Sequence, residues 1–136
     1  MAKPAVARIS DSEKITINLG HVDLGHVDLL VREGFYSNRS DFIRTAIRNQ
    51  LSRHEEAMRQ TVERHHIELG VRRYDRADLE AAKAAGERLH IQVLGLAIIT
   101  DDVEPQLALE TIGSLQVLGA LQASAAVKAA LKDRIT

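Results

Sequence analysis

The sequence predicts an α+β fold in two parts: a short strand followed by two helices in the first third, and a small α/β repeat in the last. Three observations predict it. Residues 14–19, KITINL, alternate apolar and polar with the period of a half-buried strand. The stretches beginning at Val22 and Phe42 then switch to a helical apolar period. Finally, Gln92-Val93-Leu94-Gly95 returns 24 residues later as Gln116-Val117-Leu118-Gly119.

The 136 residues are 45% hydrophobic but only 3% aromatic. That length suits one compact domain or two small ones, with a core built from aliphatic side chains. Cysteine is absent, which excludes disulfides and thiolate metal or redox sites. There is no charged-then-apolar leader and no apolar run approaching ~18 residues. A soluble, cytoplasmic, nucleoid-associated protein with no membrane partner is therefore expected. The net charge is -1, whereas nucleic-acid-binding domains usually carry a basic excess. A docking face here needs local placement of positive charge.

Residues 1–12 read as a flexible arm, and residues 13–54 as the first domain. Ile15, Ile17 and Leu19 form one face of the strand, Lys14, Thr16 and Asn18 the other, and Gly20 ends it. Val22, Leu24, Val27, Leu30 and Val31 then fit one broad helical face that stops at Glu33-Gly34. In the segment that follows, Ser37 or Asn38 is placed to cap a second helix, with Ser40 and Asp41 in its first turn. Phe42, Ile43, Ala46, Ile47 and Leu51 give that helix its apolar stripe, and Arg44 and Arg48 lie on the opposite side.

One pentapeptide, GHVDL, stands twice in a row from Gly20 to Leu29. Placed at the start of the first helix, its two copies point ~140° apart, since each residue turns the helix by ~100°. His21 and His26 therefore lack the i, i+4 spacing of a chelating pair. They read as surface histidines.

A lone strand with two helices leaves its backbone groups unpaired and one helix face bare. A second copy repairs both defects. Two KITINL strands would pair antiparallel, with Ile15, Ile17 and Leu19 facing down onto four helices. Phe42, Ile43, Ala46 and Ile47 complete this predicted dimer core. Lys14, Thr16 and Asn18 face outward.

Residues ~13–53 resemble the ribbon-helix-helix superfamily of MetJ, Arc and CopG type. The alternating strand, the turn at Glu33-Gly34-Phe35-Tyr36, and Ser37-Asn38-Arg39-Ser40 leading into Asp41-Phe42-Ile43-Arg44-Thr45-Ala46-Ile47-Arg48 carry the likeness. It implies an intertwined dimer whose two-stranded ribbon enters the major groove of double-stranded DNA. Lys14, Thr16 and Asn18 would then read base edges: lysine donates to guanine, asparagine pairs with adenine, and threonine meets thymine or a polar edge. Ser37, Asn38, Arg39 and Ser40 would clamp a backbone phosphate at a helix N-terminus. Gly20 stands where many members have proline, which loosens the lead into the first helix.

Residues 55–87 read as a helical connector, charged and histidine-rich. His54 and His65 share a face but lie ~16 Å apart along a helix, and His65 and His66 diverge, so no metal is expected. Asp75 is an apt N-cap for an Ala-rich helix closing near Gly86.

Residues 88–136 form the repeat domain, two units of about 24 residues, each an apolar strand, a turn and a short helix. Ile91 matches Leu115, Thr100 matches Ser124, Val103 matches Val127, and Leu107 matches Leu131. Pro105 suits the first turn of one helix and Ser124 the cap of the other. Solenoid-like stacking of this kind needs roughly three or more units for stability. The domain is therefore expected to oligomerise through Val93, Leu94, Leu96, Val117, Leu118 and Leu121, giving a homotetramer or higher assembly. No acid-base pair, nucleophile or phosphate-cradling loop stands out, so no enzyme and no cofactor is expected.

The sequence thus points to a sequence-specific transcriptional regulator, a repressor in type, that dimerises by its ribbon and assembles by its repeats. Two alternatives remain at this level. One is an antitoxin whose C-terminal part wraps a toxin. The other is an oligomeric scaffold that no longer binds DNA.

Overall fold

The structure is a computed structural model that describes residues 12–136, so all but the last residue of the expected N-terminal arm lies outside it. The described residues form two compact units, one of residues 14–64 and one of residues 65–136 together with 12 and 13.

In the first unit, α1 (His21–Arg32) begins directly after Gly20, so both GHVDL copies are helical from their histidine onward. Gly34, at φ +85°, ends it in the left-handed conformation that glycine adopts without a Cβ penalty. Helix α2 (Arg39–Arg53) is capped by Asn38, whose Oδ1 accepts the Asp41 amide at 2.8 Å. The Ser37 amide donates to the Asp41 carboxylate at 2.9 Å, which closes the cap from the other side. Tyr36 and Phe42 meet edge to face, ring centroids 5.0 Å apart, and fix the turn between the helices. After His54, helix α3 (Glu55–His65) carries ion pairs from Arg59 to Glu56 and Glu63 along its solvated surface.

Among the described residues, none pairs as a strand with residues 14–19. The sheet of this structure is not the expected two-stranded antiparallel ribbon. It is three parallel strands, all in the second unit. A ribbon of the expected kind requires a second copy of the chain, and among the described residues of a single copy no strand pairs with residues 14–19.

The second unit also corrects the expected connector. Residues 55–87 hold α3, then strand β1 (Glu68–Tyr74), then helix α4 (Arg76–Ala84). Asp75 caps α4 as the sequence predicts, in a reciprocal capping box with Asp78. Strand β2 (Leu89–Ile99), helix α5 (Pro105–Thr111), strand β3 (Ile112–Gln122) and helix α6 (Ala125–Ala130) follow. Ser124 caps α6, and Pro105 opens α5. Three strand–helix pairs are therefore present where the sequence suggested two.

The repeated tetrapeptides are register partners: Gln92 with Gln116, Val93 with Val117, Leu94 with Leu118 and Gly95 with Gly119. Strand β1 extends the register, with Leu69 beside Leu94 and Gly70 beside Gly95. Helices α4, α5 and α6 pack in sequence beside one another. Between them and the sheet lies a single aliphatic core of Leu79, Ile91, Val93, Ala97, Ile99, Ala108, Ile112, Leu115, Val127 and Leu131. Val93, 1% exposed, belongs to this core and not to an oligomerisation surface. Val117 and Leu121 also pack against it. Of the six residues expected to oligomerise, Leu94 and Leu96 are half-buried, and Leu118 is exposed.

The two edges of the sheet differ. At the outer edge of β3 the chain end folds back: the Leu115 amide donates to the Arg134 carbonyl at 2.9 Å, and the Thr136 amide to the Leu115 carbonyl at 3.0 Å. Arg134 in turn donates to the carbonyls of Leu109 and Ile112. At the other edge, β1 is exposed along six of its seven residues.

Candidate nucleic-acid interface

The candidate interface lies in the first unit. Paired as a strand, residues 14–19 would place Lys14, Thr16 and Asn18 on one face, because alternating residues point to opposite sides. All three are exposed. Their apolar neighbours are exposed as well: Ile15 by 73%, Ile17 by 57% and Leu19 by 43%. The helices repeat this pattern. Val22, Leu29, Ile47 and Leu51 are large apolar side chains open to water, Ala46 is exposed, and Phe42 and Ile43 are half-buried. Val27 is the unit's one fully buried hydrophobic residue. The expected dimer core is thus an uncovered apolar surface in the single chain.

Ser37, Asn38, Arg39 and Ser40 sit together at the start of α2, all exposed. The first amides of a helix have no intrahelical acceptor, and the cap uses only that of Asp41. The start of a helix is also where the dipole favours an anion. Asn38 is the cap that the sequence offered, and its side-chain oxygen is engaged by the Asp41 amide.

Arg39 has a partner that the sequence does not announce. Its guanidinium forks onto the Asp28 carboxylate of α1, Nε to Oδ1 at 2.7 Å and Nη2 to Oδ2 at 2.8 Å. This hydrogen-bonded pair ties the two helices together across the Gly34 turn. It holds the Asp28 carboxyl below its ordinary pKa and raises that of Arg39. The pair is exposed, so a phosphate is able to compete for the guanidinium. Arg44 and Arg48, both exposed on α2, add positive charge without a carboxylate partner among the described residues.

The histidines fall into separate places on the chain, three of them around one cavity. His21 and His26 lie on different turns of α1, and His54 on the break between α2 and α3. His65, His66 and His90 border an open cavity of about 280 Å³ with Glu68 and Tyr74. Among the described residues no three His, Asp or Glu side chains are placed to hold a metal ion. Asp102 is a turn residue, accepting from the Thr100 hydroxyl and the Arg76 amide. Among the described residues no helix is long and apolar enough to cross a membrane.

Compared with known proteins, residues 10–128 match the Ribbon-Helix-Helix transcriptional regulator family. The match spans the helices of the first unit and the whole three-stranded sheet of the second. No curated protein and no solved structure matches the chain.

Proposed function

Because the chain belongs to the ribbon-helix-helix transcriptional regulator family, we propose that it is a sequence-specific repressor whose dimeric ribbon reads the DNA major groove. Lys14, Thr16 and Asn18 are the base readers, and Ser37 to Ser40 at the start of α2 grip the flanking phosphate. The observation that carries this reading is the uncovered inner face of the ribbon segment. Ile15, Ile17 and Leu19 stand in water, as do Val22 and Leu29 of α1 and Ile47 and Leu51 of α2. Burying apolar surface stabilises by about 25 cal/mol per Å². A second copy laid across that surface buries all of it at once and leaves the polar face free for DNA.

The second unit supplies assembly in this reading, joining dimers so that tandem half-sites are bound together. A half that folds around its own aliphatic core suits such a role better than that of a tail wrapping a toxin. No enzymatic activity is included.

The test is DNA binding to genomic fragments at two salt concentrations by the wild type and by a Lys14→Ala/Thr16→Ala/Asn18→Ala variant. The variant is expected to keep its fold and a salt-dependent affinity but to lose sequence preference. A variant that discriminates sequences as well as the wild type does would overturn the assignment of the readers.

A further inference from the structure

We propose that the outer edge of β1 is a self-pairing interface, joining β1 of a second copy antiparallel about a two-fold axis at Gly70. The proposal sharpens, and rests on, the assembly through the second unit argued above. It names the surface and its occupant.

The first observation is the unequal treatment of the two sheet edges. The chain end covers the edge of β3 at Leu115. The β1 edge carries Leu69 and Val71, 58% and 63% exposed, on a strand that pairs only with β2 among the described residues. An unpaired edge bearing apolar side chains is a template for another strand.

The second is Gly70 itself. Gly70, Gly95 and Gly119 lie side by side with φ of +101°, +136° and +124°. A Cβ on Gly119 would meet the Gly95 carbonyl oxygen at 2.1 Å, and one on Gly95 the Gly70 oxygen at 2.3 Å. At these two positions glycine is required by the backbone of the preceding strand. The edge strand thus repeats the glycine conformation found at the two close strand contacts, and among the described residues no atom stands within 4 Å of the point where a Cβ on Gly70 would lie.

The third is charge. Glu68 and Arg72 flank Gly70 on one face and pair with each other at 2.6 Å. Antiparallel pairing centred on Gly70 sets Glu68 opposite Arg72 of the second copy, Arg72 opposite its Glu68, and Leu69 opposite its Val71. Parallel self-pairing would oppose glutamate to glutamate and arginine to arginine, which is unfavourable. Centring the antiparallel pair on Val71 would oppose Leu69 to Arg73. Exposed ion pairs contribute little energy, but they set orientation and register. The result is a six-stranded sheet with a chain end folded over each outer edge, an isologous two-fold contact.

The chain has no cysteine, so introduced thiols report without background. Full-length Leu69→Cys and Val71→Cys are prepared singly, mixed under subunit exchange, oxidised and run on a non-reducing gel. Far-UV circular dichroism verifies their fold, and light scattering gives the wild-type mass. Directly opposed strand residues lie within disulfide reach, whereas diagonal ones stand about 7–8 Å apart. The mixture is expected to give roughly tenfold or more covalent dimer than either variant alone. Equal cross-linking in the single variants would overturn the register, and none in the mixture would overturn the pairing. A wild-type mass above a dimer without cross-linking would sink this interface and leave the proposed assembly standing on another surface. A plain dimer without cross-linking would sink both.

Discussion

The α-carbon of Gly95 sits so close to the neighbouring strand that a Cβ there would lie 2.3 Å from the carbonyl oxygen of Gly70. Gly119 repeats the relationship one strand further on, against Gly95. No rotamer relieves such a contact, since both partners are backbone. Gly95→Ala and Gly119→Ala are therefore expected to cost about 3–5 kcal/mol each, from a forced strand shift added to a strained backbone. Within the single chain Gly70→Ala carries only the strain and is expected to cost about 1–2 kcal/mol, apart from any effect on pairing between copies. Urea unfolding midpoints would test the order, and equal losses at all three positions would contradict it.

The Asp28–Arg39 pair gives an expectation with a sign. Hydrogen bonding to Arg39 lowers the Asp28 pKa in the folded chain. Its contribution is therefore fully present above the unfolded pKa of about 3.9 and is lost as pH falls through the lower folded value. Wild type and Asp28→Asn should differ in thermal stability at neutral pH and converge under acid. A difference that grew towards low pH would refute the role given to this pair.

The same substitution bears on DNA. With Asp28 neutral, Arg39 no longer has a carboxylate to leave when a phosphate arrives. Asp28→Asn is expected to bind DNA several-fold more tightly, because the Arg39–phosphate contact no longer has to displace the carboxylate. An unchanged affinity in a DNA titration at fixed salt would mean that Arg39 does not reach the backbone.

Local patterns made much of this legible. The helix periods, the Asp75 and Ser124 caps, Pro105 at the start of α5 and the register of the two QVLG copies are all written in short stretches of sequence. Strand β1 was hidden because an exposed edge strand carries no alternation: Glu68–Tyr74 reads as charged connector, and only the alignment of Gly70 with Gly95 marks it. Val93 was misread because an apolar strand does not declare which of its faces the helices will cover. Asp28 was missed because its bond to Arg39 spans eleven positions and a turn. The ribbon segment stands apart. Its alternation is plain in the sequence, yet pairing depends on a strand supplied from outside the chain.

Arg134 is half-buried and donates to two carbonyls, those of Leu109 and Ile112, while its own carbonyl receives the Leu115 amide. It thus ties the end of α5 and the start of β3 to the chain terminus. Removing a charged donor leaves those acceptors unsatisfied at about 1.5–3 kcal/mol. Arg134→Met keeps the packed stem and loses only the donors. A loss in that range by urea unfolding is expected, and a loss below about 0.5 kcal/mol, the usual scale of a surface change, would show that water replaces the guanidinium.

The ribbon offers the sharpest contrast, because adjacent residues are assigned to opposite faces. In the single chain Ile17 and Thr16 are both exposed, and by that criterion either substitution would shift stability by no more than about 0.5 kcal/mol. In a dimer they part. Ile17→Ala removes an isoleucine from each half of a shared core, about 2–5 kcal/mol apiece. That is enough to weaken association by roughly a hundredfold or more, since about 1.4 kcal/mol is tenfold. Its thermal midpoint should fall and rise again with protein concentration, as mass action requires. Thr16→Ala should melt with the wild type and lose only discrimination among DNA sequences. Equal, small effects of the two substitutions on melting would mean that KITINL is not half of a ribbon.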